Sequence, residues 1–216
     1  MKRLRILVGD DHALIREGIR GLLESHCEVV GTAENGKTLV NAALETKPDL
    51  VVLDVSMPIL NGIDAAFEIK KALPSTRLVF LSMHANPLYL RKAIEAGASA
   101  YVLKSGAAEE LLAGIREAIQ GRIYVSPSFG QDVIRGVSNR RAEGARTRMS
   151  LTSRQRQVLQ MVAEGKQNKE IAQIAHLSVR TVEFHRSRLM TRLGARSAAE
   201  LTRFAIQEGL IDAVGN

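Results

Sequence analysis

This chain of 216 residues lacks most of the features that staple a protein covalently or bury it in lipid. Its one cysteine, Cys27, excludes an intrachain disulfide and suits a reducing cytosol. No apolar run approaches the roughly 20 residues of a membrane-spanning helix. The run behind Met1-Lys2-Arg3 stops at Asp10-Asp11, too soon for a signal-peptide core. A cytoplasmic protein without a membrane partner is therefore expected. No Gly-x-Gly-x-x-Gly follows the first apolar run, which leaves a dinucleotide-binding domain unsupported. His12, His26, Cys27 and His176 show no metal-ligand spacing. Negative charge is scarce in one half only. Residues 1–125 hold 15 Lys+Arg against 15 Asp+Glu, whereas residues 126–216 hold 15 against 8, so the whole net charge of +7 lies there. Such asymmetry points to a nucleic acid or an anionic surface as partner of the C-terminal half.

What is present divides the chain in two. Up to residue 121, β-rich runs at 4–9, 28–32, 50–54, 77–82 and 100–103 alternate with helical patterns near 13–24, 36–46, 62–72, 87–96 and 107–120. Breakers such as Lys47-Pro48-Asp49, Leu73-Pro74-Ser75, Gly97 and Gly121 punctuate them. Five consecutive βα units predict a doubly wound α/β fold, a parallel five-stranded sheet in the order 2-1-3-4-5. The central runs, Leu50 to Leu53 and Leu78 to Leu81, are continuously apolar, as strands covered on both faces should be. Between 126 and 150, glycines and five arginines (Arg135, Arg140, Arg141, Arg146 and Arg148) read as a tether with a short helix near 129–136. After Leu151 every segment reads as helix. Thr152 and Gln155 form a capping box for the first, and Gly165 suits its stop. Helices at 168–175 and 179–193 flank a turn at His176-Leu177-Ser178, with Ser178 as N-cap, and a fourth spans 197–208. Two helices across a three-residue turn, the second rich in arginine, make a helix-turn-helix candidate. The expected division is 1–122, a linker at 123–149, and a four-helix domain at 150–216.

Four apolar runs end on groups suited to phosphoryl chemistry. Asp10 and Asp11 follow the first, Asp54 ends the third, and Ser82 and Lys104 close the fourth and fifth. In a parallel sheet these ends lie side by side, where open α/β sheets bind ligands. Magnesium takes near-octahedral oxygen coordination and keeps several waters. Asp11 and Asp54 can hold it, with the backbone carbonyl of Ser56 as third protein ligand and Asp10 acting through water. An aspartate can itself accept a phosphoryl group as an acyl phosphate. Lys104 fits the role of stabilising the phosphoryl oxygens, and the Ser82 hydroxyl can donate to one.

Gly9-Asp10-Asp11-His12, Leu53-Asp54-Val55-Ser56-Met57-Pro58-Ile59-Leu60-Asn61-Gly62, Leu81-Ser82 and Val102-Leu103-Lys104 resemble the receiver domain of bacterial response regulators. Leu151-Thr152-Ser153-Arg154, Gly165-Lys166-Gln167-Asn168-Lys169-Glu170-Ile171-Ala172 and Thr181-Val182-Glu183-Phe184-His185 resemble the LuxR-type helix-turn-helix. Together they cover nearly the whole chain and resemble the NarL/FixJ subfamily. The resemblance implies that Asp54 accepts a phosphoryl group from a sensor histidine kinase, and that Ser82 and Tyr101 reorient. The receiver would then release or dimerise a domain that binds double-stranded DNA. For Tyr101 a plain core role stands beside the switch. Ser56 and His84 occupy positions that tune dephosphorylation in the family, although His84 reads equally as a solvated loop residue. Lys104 is followed by Ser105 where many receivers carry proline, which leaves the geometry of the lysine loop open. Gln155 stands where glutamate is common.

From Ser178 to Arg196 five arginines face Glu183 alone. Helical spacing puts Val182, Leu189 and Leu193 on the core side, leaving Arg180, Glu183, Phe184, Ser187 and Arg188 largely outside it. By resemblance Glu183, Phe184 and Ser187 face bases: a carboxylate can accept from cytosine and a phenyl can touch the thymine methyl. Asn168, Lys169, Thr181, Arg186 and Arg188 suit phosphate contacts. Phe184 could instead pack inside the bundle.

Two other readings compete. An aspartate-nucleophile phosphatase would need a second aspartate two residues past Asp54, where Ser56 stands. A regulator acting without phosphorylation is the other. The expected function is a phosphorylation-controlled transcriptional regulator, not a metabolic enzyme.

Overall fold

The computed structural model describes residues 3–83, 85–106, 108–130 and 151–212. The first unit carries β1 (Arg5–Gly9), α1 (Ala13–Glu24), β2 (Glu28–Ala33), α2 (Gly36–Thr46) and β3 (Leu50–Asp54). It continues through α3 (Gly62–Ala72), β4 (Arg77–Ser82), α4 (Pro87–Glu95), β5 (Ala100–Leu103) and α5 (Ala108–Ile119). A short β6 (Tyr124–Val125) and a 3-10 turn at Pro127–Phe129 end it. The strands are parallel, in the order β2-β1-β3-β4-β5-β6.

Successive side chains of a strand point to opposite faces, and both faces here are dry. Ile6, Val8, Leu50, Val52, Val79, Leu81 and Val102 form one core cluster with Ile19 and Leu23 of α1 and Leu111 and Ile115 of α5. Leu7, Val51, Leu53 and Phe80 are equally buried on the other side. There α2 packs on β1 and β2 and passes through α3 to α4. Each such side chain contributes about 1.5–3 kcal/mol when fully buried.

The predicted sheet order is present, with one strand added. Tyr124 and Val125 fall where the sequence reading begins a linker, yet they pair with Ala100 and Tyr101. A two-residue strand has too little periodicity to announce itself, so only its partner strand reveals it. The short helix expected near 129–136 lies almost wholly outside the described residues. Its first residue ends the 3-10 turn instead.

The second unit holds α6 (Ser153–Ala163), α7 (Asn168–Ala175), α8 (Val179–Leu193) and α9 (Ala198–Gln207). The Thr152–Gln155 capping box is formed, and the Ser178 hydroxyl accepts from the Thr181 amide at 3.0 Å. His176 and Gly194 end α7 and α8 in the left-handed region. Val158, Leu159, Ile171, Val182, Leu189 and Leu201 form the core. Among the described residues no helix is long and apolar enough to cross a membrane.

Candidate functional site

Strand register assembles the pocket. Gly9 lies opposite Leu53, Asp54 opposite Leu81, and Ser82 opposite Leu103. Asp10, Asp54, Ser82 and Lys104 therefore emerge from adjacent strand ends. The Lys104 ammonium lies 2.6 Å from Asp54 Oδ2 and 2.8 Å from Asp10 Oδ2. Carboxylate oxygens of Asp10, Asp11 and Asp54 lie within 4.8 Å of one another, with His12 beside them. The His12 amide donates to Asp10 Oδ1 at 2.9 Å, and its Nδ1 lies 2.8 Å from Asp11 Oδ1. Sequence spacing gives His12 no metal-ligand pattern, and its adjacency to Asp11 in the Gly9-Asp10-Asp11-His12 stretch is what brings it to the pocket.

Electrostatics set the character of the pocket. Burial pushes the Asp54 carboxyl above its ordinary value, and the neighbouring Lys104 ammonium only partly offsets this. Burial opposes charge on Lys104 too, but the Asp54 and Asp10 carboxylates outweigh it and raise the lysine. Three carboxylates thus gather beside one ammonium, which contacts Asp54 and Asp10 while Asp11 lies against His12. The donors are oxygens, the set a hard divalent cation selects. The acidic cluster is consistent with a metal site.

The loop after β3 is held tightly. The Ser56 amide donates to Asp54 Oδ1 at 3.2 Å, so both carboxylate oxygens have partners. Asn61 caps α3, accepting from the Asp64 amide at 2.9 Å and donating to Asp64 Oδ2 at 3.1 Å. The Gly62 amide donates to the Val55 carbonyl at 2.9 Å. Ser82 is buried and its carbonyl accepts the Lys104 amide at 2.8 Å. Tyr101 is fully buried, stacked toward Phe80 at a centroid distance of 6.4 Å and edge-on to Phe129 at 5.3 Å. Phe129 was not singled out from the sequence, since one aromatic in a breaker-rich stretch carries no pattern. His84 lies outside the described residues.

In the second unit, α8 presents Arg180, Glu183, Phe184, Ser187 and Arg188 as exposed residues while Val182 and Leu189 are buried. Phe184 is 53% exposed, so it does not pack inside the bundle. The Arg188 guanidinium stacks over its ring, 4.8 Å from the centroid. Stacking uses the guanidinium face and leaves its N–H edges to donate. Thr181 is half-buried and its amide is capped by Ser178. Lys169 is exposed at the start of α7, whereas Asn168 accepts from Arg186 Nη1 at 2.6 Å. That bond ties α7 to α8, so Arg186 is partly spent within the protein. His185 is half-buried against the Phe184 edge, and burial, with Arg154 and Arg188 nearby, lowers its pKa.

Comparison with known proteins gives matches over both units. Residues 6–116 match the model of the response regulator receiver domain, and residues 149–205 that of the bacterial regulatory proteins of the luxR family. The transcriptional regulatory protein MctR of Rhizobium johnstonii is 34% identical over 99% of this chain and 98% of its own. The RcsB response regulator of Salmonella typhimurium superposes with a TM-score of 0.61 at 26% identity, covering 96% of this chain and 99% of that one. A two-component response regulator RcsB–DNA complex gives 0.59 at 25% identity over 96% and 99%.

Proposed function

Because this chain belongs to the two-component response regulators that join a receiver domain to a LuxR-type DNA-binding domain, we propose that Asp54 is the phosphoacceptor, charged by a sensor histidine kinase, and that its acyl phosphate switches DNA binding. The observation that carries this reading is the Lys104 ammonium clamped between Asp54 and Asp10 at adjacent strand ends. A nucleophilic carboxylate oxygen of Asp54 bonds to phosphorus as the bond to the donor's leaving group breaks. Negative charge moves onto the phosphoryl oxygens, which Lys104 and the Ser82 hydroxyl would stabilise. Asp11, Asp54 and the Ser56 carbonyl would hold Mg²⁺, with Asp10 acting through water. The ion would offset the excess negative charge. Lys104 must exchange its Asp54 contact for a phosphoryl oxygen, and Ser82 and Tyr101 would reorient with it. Ser56 and His84 would tune the lifetime of the acyl phosphate.

Incubation with a small phosphodonor and Mg²⁺ should place one acyl phosphate on Asp54, mapped by mass spectrometry, and should tighten DNA binding or promote dimerisation. Chelating the metal should stop labelling. Labelling needs the ionised carboxylate, and burial raises that group's pKa. In the metal-free protein the Asp54 carboxyl should therefore take up its proton on acidification at a higher pH than an ordinary aspartate, followed by its carboxyl NMR shift, and Mg²⁺ should move that transition to lower pH. Unlabelled protein that still responds to another signal would favour a regulator working without phosphorylation.

For the output, α8 enters the major groove with Glu183, Phe184 and Ser187 toward bases. Arg180, Arg188, Lys169 and Thr181, with Asn168 and Arg186, serve the backbone. Arg188→Ala should weaken binding to all sequences alike and lower the salt slope by about one unit. A loss confined to one sequence would make Arg188 a base reader instead.

A further inference from the structure

We propose that Ser126, which lies beyond the matched receiver segment ending at residue 116, is a positioning residue for Lys104, so that the first residues of the linker help set the phosphoacceptor pocket. The proposal rests on the reading of Asp54 and Lys104 given above. β6 pairs only with Ala100 and Tyr101, so the sheet ladder stops before β5 does. The Leu103 amide is buried and must find a partner off the ladder. It donates to Ser126 Oγ at 3.0 Å, across 23 positions of sequence. The Ser126 hydroxyl in turn donates to Glu110 Oε2 of α5. That donation turns the hydrogen away from Leu103 and leaves a lone pair facing its amide.

The contact is one peptide from the functional lysine. On the other side the Lys104 amide donates to the Ser82 carbonyl at 2.8 Å, and the Gly106 amide returns to the Leu103 carbonyl at 3.0 Å. Glu110 also lies against the turn: a Cβ on Gly106 would fall 2.8 Å from its carboxylate. Ser126 is itself held, since its amide donates to the Tyr101 carbonyl at 2.9 Å and Phe129 packs edge-on to the Tyr101 ring. The lysine loop is thus bracketed by β4 on one side and by the segment entering the linker on the other. A lysine that must move between carboxylate and phosphoryl oxygens needs its backbone held while its ammonium travels. Reciprocity then requires that whatever shifts the linker's first residues also biases the pocket.

The test measures initial labelling rates of the full chain with a small phosphodonor and Mg²⁺. Wild type, Ser126→Ala, Ser126→Thr, Lys104→Ala and the Lys104→Ala/Ser126→Ala double variant are compared. Ser126→Ala should slow labelling by about 5–20-fold, and Ser126→Thr should stay within about twofold of wild type. In the Lys104→Ala background, removing the serine hydroxyl should change the rate by less than about twofold, because no ammonium remains to be placed. A wild-type rate in Ser126→Ala, or equal slowing in both backgrounds, would overturn the proposal. If wild type itself takes no label, the role of Asp54 fails, and amide hydrogen exchange in the unphosphorylated chain decides for Ser126. Ser126→Ala should then speed exchange at Leu103 and Lys104 and leave mid-strand Val51 unchanged; unaltered exchange at Leu103 and Lys104 overturns the positioning role.

Discussion

Asp54→Asn is expected to abolish acyl-phosphate formation and with it any gain in DNA affinity from a phosphodonor, while leaving the fold intact. The amide keeps the shape of the carboxylate but is no longer a nucleophile, and its single oxygen can replace only one of the two acceptors that serve the Ser56 amide and the Lys104 ammonium. Stability should nevertheless change little. Asp54 is 3% exposed and burial raises its folded pKa, so the native pocket disfavours the charged form. The sign follows from linkage: a carboxyl raised above its unfolded value costs stability at pH above the folded pKa, and that cost disappears as pH falls through it. Asparagine mimics the uncharged side chain at every pH. Thermal unfolding at neutral pH should therefore give a midpoint within a few degrees of wild type, because the relieved cost of burying the Asp54 charge offsets the support lost by the Lys104 ammonium. Label on a different residue of the variant would displace Asp54 from the centre of the mechanism.

Gly62→Ala is expected to damage the same site through the backbone. A Cβ there would fall 1.9 Å from the Asp54 carbonyl oxygen, 2.9 Å from its carbon and 3.2 Å from Val55 Cα. All three obstacles are backbone, so no side chain can rotate away. The start of α3 must separate from the end of β3, stretching the 2.9 Å bond from the Gly62 amide to the Val55 carbonyl. Overpacking costs about 1–3 kcal/mol where side chains can yield, and rigid backbone puts this case at the upper end or beyond. A fall of about 10 °C in the unfolding midpoint is expected, together with slower labelling as the Asp54 carboxylate shifts. Gly18→Ala and Gly21→Ala in α1 are the controls. A Cβ at either meets nothing within 4 Å, and alanine should stabilise that helix by up to about 1 kcal/mol. An unchanged midpoint for Gly62→Ala would mean that α3 does not approach β3 so closely in solution.

Much of this architecture was legible because it rests on local pattern. Leu50 to Leu53 and Leu78 to Leu81 could only be strands covered on both faces. Their terminal Asp54 and Ser82 had to emerge together once the connections were parallel. The basic helix α8 was readable for the same reason: spacing alone separated Val182 and Leu189 from Arg180, Phe184 and Arg188, and the burial follows that division. Where local pattern offered two answers, packing chose. Phe184 fits a core or a surface by composition, and its exposure beneath the Arg188 guanidinium settles the point. Arg186 resembles its neighbouring arginines until Asn168 is found beside it.

Taken by itself, the sequence determined the order of elements, the pairing of an α/β unit with a basic helical one, and the residue types collected at the strand ends. These follow from periodicities of two and about 3.6 residues and from charge, which are written into short windows. The tertiary structure alone decided that the sheet runs on into β6, that Lys104 divides itself between Asp54 and Asp10, and that Ser126 holds the Leu103 amide. Each is a contact between residues far apart in the chain. A single serine or a two-residue strand leaves no periodic trace, and only the requirement that every buried amide find an acceptor brings it to notice.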